Sequence, residues 1–414
     1  PMRQPMISLT PARPAVRAEF PVTLDVLVTI TPPVPESRSA RPPLNLSLVL
    51  DRSGSMGERN KMTFARAAAT FAVRELAPTD RLSVIAFDDR VEIPFPNSTV
   101  TDKDAVARLI AEIGPRGSTA LYGGWQEGVR QAAANPAPGG VNRVVLLSDG
   151  LANVGESRPD VIATDVHKAA GTGVGTTTIG VGDEYNEDLL EAMARSGDGS
   201  YYYVESPAQL PTIFEAELHG LSATSGVNVT LALEPAAGVT IAEVLNDLDQ
   251  TPNGLWKLPN LVAGSPVRIV MRLNVAAGAG ERLLCGLRLE WTPPKESTRQ
   301  STSAHLTLPG VPTAVWEGLA ESVEVQEQAA LLQVAKLKKA ATKLADQGDT
   351  EGARKLIDQA KALLAAAPAT AEIAAEQVAL ARIEGYIDAG NVRAFSKRAK
   401  YENHSRSHSR KCQA

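Results

Sequence analysis

From Leu44 onward the chain alternates short apolar runs with longer amphipathic ones, and this rhythm constrains the fold more than any other feature. "LNLSLVL", "RLSVIAF", "NRVVLLS" and "VGTTTIGVG" read as strands. Helical stretches lie between and after them: Lys61 to Leu76, Asp102 to Ile113, Leu121 to Ala134, Pro159 to Ala170 and Asn186 to Ala194. A strand that is apolar along its whole length must be covered on both faces, and intervening helices supply that cover. The pattern therefore predicts a doubly wound, mostly parallel α/β sheet. In such sheets ligands bind beyond the carboxyl ends of the strands. Asp51 and Asp149 both stand at such ends.

The flanks follow other periods. Residues 7 to 31 carry β-branched alternation that reads as one or two strands, followed by a Pro-rich linker, "TPPVPESRSARPP". Residues 224 to 308 ("VNVTLALEP", "PVRIVMRLNV", "RLLCGLRLEW", "SAHLTL") alternate with a period near two, the mark of an antiparallel β-sandwich. A lone hairpin is marginal in water, so the early strands are expected to join this later sandwich. The expected organisation is thus N-terminal sandwich strands at 1–43, an inserted α/β domain at 44–223, and the rest of the sandwich at 224–311. A helical region at 312–392 and a basic flexible tail at 393–414 follow. Three helices are expected, near 316–346, 350–366 and 370–389, broken at "DQGDT" and Pro368. At 414 residues, two or three domains are in keeping with the length.

Composition excludes some classes. A net charge of -5 leaves no electrostatic footprint for specific nucleic-acid binding. No apolar run reaches the roughly 18 residues of a membrane span. Two cysteines, Cys285 and Cys412, fit a reducing compartment, and "PMRQPMISLT" lacks the form of a signal peptide. A cytoplasmic location is expected. An extracellular one stays open, because the sequence does not begin with Met and a longer precursor is conceivable.

The stretch "LSLVLDRSGSMGERNKM" ends an apolar strand on Asp51, Ser53 and Ser55. Four chemistries compete for it. A phosphate cradle would need the Gly-Lys-Ser/Thr of a P-loop, which neither "GPRGSTALYGG" nor "GTGVGTTTIG" contains. A phosphotransferase or phosphatase using Asp51 as nucleophile would want an acid two residues on, where Ser53 stands, and a balancing lysine, which "VVLLSDG" does not offer. A serine nucleophile would need a base, and none of the five histidines falls in a predicted loop at a strand's carboxyl end. A hard divalent cation explains more residues with fewer assumptions. Asp51, Ser53 and Ser55 at i, i+2 and i+4 aim alternate oxygens at one point, while "RGSTALYGG" brings Ser118 and Thr119 to the same rim and "SDG" brings Asp149.

"DRSGS", then "GSTAL", then "LLSDG" together resemble the metal-ion-dependent adhesion site of the von Willebrand factor A domain family. Asp51, Ser53, Ser55, Thr119 and Asp149 match its Asp-x-Ser-x-Ser loop, Thr and Asp. The resemblance runs from Leu44 to about Ala223, somewhat under half the chain. It implies a Rossmann-like fold and a bound Mg²⁺, with Mn²⁺ or Ca²⁺ as alternatives. It further implies a non-enzymatic role in which the ion accepts an Asp or Glu from a protein partner, for adhesion, complex assembly or signalling. Ligand binding in the family shifts the last helix, here about 208 to 221. A structural scaffold with a vestigial site is the remaining alternative. Tyr122 and Trp125 either flank the ligand surface or pack inward. "DDR" at 88–90 reads as a hairpin turn near the rim, and "SGDGSYYY" as a turn into a mixed-face strand. His404, His408 and Cys412 fall short of a zinc site. The C-terminal helices offer a face for homo-oligomerisation.

Overall fold

The structure is a computed structural model that describes residues 4–33, 42–137, 139–294 and 296–408. The chain divides into two compact units, one of Pro1–Val34, Ser225–Pro293 and Thr298–Ala414, the other of Pro35–Thr224 with Pro294–Ser297. Most of the Pro-rich linker read from the sequence lies outside the described residues.

The first unit opens with strands β1 (Met6–Pro11), β2 (Val16–Arg17) and β3 (Val22–Thr31). The second unit then contributes β4 (Leu44–Asp51), α1 (Lys61–Glu75), β5 (Arg81–Phe87), β6 (Val91–Thr99), α2 (Lys103–Ala111) and α3 (Leu121–Ala134). It continues with β7 (Val141–Ser148), α4 (Pro159–Gly171), β8 (Val174–Val181), α5 (Glu187–Ser196), β9 (Tyr201–Val204) and α6 (Leu210–Ser222). Its sheet has the order β6-β5-β4-β7-β8-β9, parallel throughout except for the edge strand β6. All eight residues of β4 are buried, as a central strand covered on both faces requires. One face carries α3, whose Gly128 lies so close to the sheet that a Cβ would stand 2.6 Å from Val49 Cγ2. On the other side of the core, Met62, Ala65, Ala68 and Ala69 of α1 meet Leu210, Ile213, Phe214 and Leu218 of α6. Small alanines let the two helices lie close over the strands.

The first unit resumes with β10 (Thr224–Pro235), β11 (Val239–Val244), β12 (Trp256–Lys257), β13 (Leu261–Val262), β14 (Val267–Val275), β15 (Gly280–Thr292) and β16 (Gln300–Val311). Its two sheets are β1-β3-β14-β11 and β12-β10-β15-β16-β2, with β13 on β10. The N-terminal strands do join the later sandwich: β3 pairs antiparallel with β14 from Val22↔Val275 to Ile30↔Val267. The sandwich is not purely antiparallel, since β2 runs parallel to β16. Nearby, Trp316 is held between the guanidinium groups of Arg13 and Arg17, 4.3 and 4.2 Å from its ring, and its indole N–H donates to the Ala15 carbonyl.

Five helices end the described chain: α7 (Thr313–Glu317), α8 (Val323–Asp346), α9 (Thr350–Ala366), α10 (Ala371–Asp388) and α11 (Val392–Ser407). Val325, Ala329 and Leu332 of α8 pack on Leu27 and Val270 of the sandwich. The last helix corrects the expectation of a flexible tail at 393–414 as far as residue 407; residues 409 to 414 lie outside the described residues. Residues 393 to 407 are helical, and Ser396, Lys397, Arg398, Glu402 and His404 are buried. Their apolar content is low, so periodicity gives no sign of a core helix; ion pairs do the work. Lys338 on α8 donates to Glu376 of α10 at 2.6 Å and to Glu402 of α11 at 2.8 Å, and Arg398 pairs with Glu402 at 2.8 Å. Buried charges in mutual contact are the one way so polar a segment tolerates removal from water.

Candidate metal centre

The centre is built where β4, β5 and β7 end. Asp51 closes β4, one of the two central strands, and is fully buried. The Ser53 backbone N–H donates to Asp51 Oδ1 at 2.8 Å, the short Asp-to-i+2 bond that turns a chain out of a strand. The Ser148 hydroxyl, at the end of β7, donates to Asp51 Oδ2 at 2.6 Å. Burial pushes the Asp51 carboxyl up to about 6, against the opposing pull of the Ser148 and Ser53 hydrogen bonds. A carboxylate so far from water gains a great deal from an adjacent cation.

Three loops are fastened around it. The Gly54 N–H donates to the Gly117 carbonyl at 3.1 Å, the Arg116 N–H to the Arg52 carbonyl at 2.7 Å, and the Arg52 N–H to the Phe87 carbonyl at 2.8 Å. Asp88 is 1% exposed; its carboxylate takes Arg116 Nε at 2.6 Å while its carbonyl takes the Ala120 N–H at 2.7 Å. The turn at 88–90 thus fixes the Thr119 loop as well as reversing the chain. Asn153 Oδ1 accepts the Thr119 N–H at 2.9 Å, which ties that loop to the segment after β7.

Within this frame the hydroxyls converge. Ser53 Oγ and Ser55 Oγ lie 3.3 Å apart, and Ser55 Oγ donates to Asp149 Oδ1 at 2.8 Å across 94 residues of sequence. A Cβ at Gly150 would stand 3.3 Å from Thr119 Oγ1 and 3.9 Å from Ser55 Oγ, so these two hydroxyls flank the same bare backbone. The five residues predicted from sequence, Asp51, Ser53, Ser55, Thr119 and Asp149, occupy one rim. Ser118 of the same loop is exposed. The donor set is all oxygen, two buried carboxylates and three neutral hydroxyls, which fits a hard divalent ion such as Mg²⁺. Among the described residues no group of three or more His, Cys, Asp and Glu is placed to hold a metal, so the hydroxyls are the further side-chain oxygens beside the two carboxylates.

Two residues of the centre escaped the sequence reading. Ser148 is one, and its position beside Asp149 at the strand end is its only signal. Lys61 is the other. Its ammonium lies 2.6 Å from Asp149 Oδ2, with the lysine side chain 7% and that of Asp149 0% exposed. Its sequence signal is a lysine at the first position of a helix, the electrostatically wrong end.

The remaining sequence candidates lie elsewhere. Trp125 is buried, stacks on Tyr122 at 5.9 Å and donates to Thr176 Oγ1 at 3.0 Å, so it packs inward. Tyr201 and Tyr203 are buried, their hydroxyls on Tyr185 and Asp183, and Tyr202 reaches Glu217 of α6. His404, in the last turn of α11, and His408, just past its end, stack with ring centres 4.2 Å apart; Cys412 lies outside the described residues. No described helix is long and apolar enough to cross a membrane.

Comparison with known proteins agrees with this architecture. The family profile of the von Willebrand factor type A domain matches residues 45–216. The Synechocystis protein sll0103 is 30% identical over 345 residues, 78% of this chain and 79% of that one. Escherichia coli YfbK is 28% identical over 194 residues, 47% of this chain, and this chain spans only 34% of YfbK. Among solved structures, a von Willebrand factor type A protein from Catenulispora acidiphila has the same fold, with a TM-score of 0.70, 16% identity, and coverage of 92% of this chain and 90% of that one. With the profile spanning the sheet that carries the centre and the Synechocystis relative aligned over most of both chains, the chain belongs to the von Willebrand factor type A domain family.

Proposed function

We propose that the α/β unit is a non-enzymatic, divalent-metal-dependent protein-binding module. Asp51, Ser53, Ser55, Thr119 and Asp149 hold Mg²⁺, with Mn²⁺ or Ca²⁺ as substitutes, and the ion takes an Asp or Glu carboxylate from a protein partner. The observation that carries this reading is the Ser55–Asp149 bond at 2.8 Å, which brings the first and last motifs of the set to one point beside buried Asp51. Neutral hydroxyls among the ligands leave the ion electrophilic, and an anionic oxygen from outside completes its shell. When bound, the metal supplies a Lewis-acidic attachment point; the chain's own residues orient it and keep its inner side dry.

Phosphotransfer through Asp51 is the competing reading. Lys61 is the cation that the strand-end sequence did not offer, but it is engaged with Asp149. Both Asp51 oxygens accept hydrogen bonds, and Ser53 stands where an acid is needed. Isothermal titration with Mn²⁺ and Mg²⁺ separates these readings from a vestigial site. The expected result is binding in the millimolar range or tighter that disappears in Asp51→Ala and Thr119→Ala, together with metal-dependent capture of a carboxylate-bearing protein. No divalent binding by the intact chain would overturn the proposal. Turnover of a phosphoester that vanishes in Asp51→Ala would replace it with the enzyme.

A further inference from the structure

Lys61 is placed at the centre against several local preferences. It is the first residue of α1, where the helix dipole disfavours a cation, and the first turn contains no acidic residue to compensate. Arg59 and Asn60 just before it both adopt left-handed backbone, with φ of 49° and 59°, although neither is glycine. The lysine residue is 6% exposed, and its Cε passes 3.9 Å from where a Cβ on Gly182, at the end of β8, would stand. An ammonium taken so far from water at the positive end of a helix needs a strong partner. That partner is Asp149 Oδ2 at 2.6 Å, on a carboxylate whose other oxygen accepts from Ser55.

We propose that Lys61 is a built-in counter-cation that weakens divalent metal binding and makes it depend on the partner's carboxylate. The inference rests on the metal-dependent reading above. By formal charge, two carboxylates and one ammonium give the centre a single net negative charge, half of what the carboxylates alone would present. A divalent ion bound there retains a positive excess, and an external carboxylate then neutralises both the ion and the lysine field behind it. Metal and acidic ligand therefore bind with positive coupling, each tightening the other by the same factor. The same ammonium fixes the rotamer of Asp149 before any metal arrives.

The test is Mn²⁺ titration of the full chain, with and without saturating acetate as the carboxylate probe, for the wild type, Lys61→Met, Lys61→Gln and Lys61→Arg. The wild type is expected to bind Mn²⁺ more tightly in acetate. Lys61→Met and Lys61→Gln should bind Mn²⁺ alone more tightly, roughly ten- to a hundredfold for removal of one nearby positive charge, and lose most of the acetate effect. Lys61→Arg, which keeps the charge, should stay close to wild type. Unchanged or weaker Mn²⁺ binding in folded Lys61→Met and Lys61→Gln would overturn the proposal. So would a wild-type affinity indifferent to acetate, a result that needs no variant to fold. If the wild type and every variant fail to bind Mn²⁺, the metal-dependent reading itself fails; binding that ignores Lys61 removes only the role of the lysine.

Discussion

The five candidate residues are recognisable because Asp51 and Asp149 stand where apolar strands end, and Ser53, Ser55 and Thr119 add small hydroxyls in loops where nothing in core formation calls for them. Gly150 shows how little room the centre leaves. A methyl group there would press on Thr119 Oγ1 at 3.3 Å. Gly150→Ala is therefore expected to weaken Mn²⁺ binding several-fold in titration while leaving the circular dichroism spectrum and melting temperature near wild type. Lys61 was not legible in the same way. A lysine at a helix start is disfavoured but tolerated where water covers it, and only the fold reveals that this ammonium ends inside. Ser148 is similar: a serine in a strand is unremarkable until its hydroxyl proves to face Asp51.

Among the elements, α6 carries a buried carboxylate that no apolar pattern predicts. Glu217 accepts from Thr177 Oγ1 at 2.5 Å, Ser200 Oγ at 2.9 Å and the Tyr202 hydroxyl at 2.8 Å, joining the helix to β8 and β9. Glu217→Ala would remove the carboxylate to which the buried Thr177 and Ser200 hydroxyls and the half-buried Tyr202 hydroxyl donate, and should lower stability by about 2–4 kcal/mol in urea unfolding. If the last helix of this unit shifts when partner binds, limited proteolysis of residues 208 to 230 should change on adding metal and partner together. Elsewhere the strands and helices of the α/β unit match their sequence signals closely, because continuous apolar runs and 3.6-residue periods are local properties. The parallel pairing of β2 with β16 and the burial of α11 are not local. Each depends on what distant residues bring to it, Val16 and Arg17 against Gly310 and Val311 in one case and Lys338 and Glu376 in the other.

For the molecule as a whole, the two units have separate hydrophobic cores, one between the parallel sheet and its helices, the other within the sandwich and helical region. Metal should therefore act on one of them. Mn²⁺ at a hundred times its Kd stabilises the state that binds it by about 2.7 kcal/mol, so hydrogen exchange should slow in the strands of the α/β unit and stay unchanged in the sandwich. Acid should reach the other unit as well. Burial pushes Glu376 up, yet Lys338 and Arg406 beside it prevail and hold it below its ordinary value of 4.5. A carboxyl depressed in the folded state contributes stability above about pH 4.5 that fades as pH falls towards its folded pKa. The helical region is thus expected to loosen on acidification, and Glu376→Gln should flatten that limb of the stability curve.

The Lys338 cluster also bears on how this chain can diverge. Removing one member strands a buried charge at about 3–5 kcal/mol, whereas exchanging all of them for well-packed apolar residues is close to neutral. No single substitution leads downhill from the present arrangement. Positions 338, 376, 398 and 402 should therefore be inherited as a block, retained together in some lineages and replaced together in others, with mixed combinations rare.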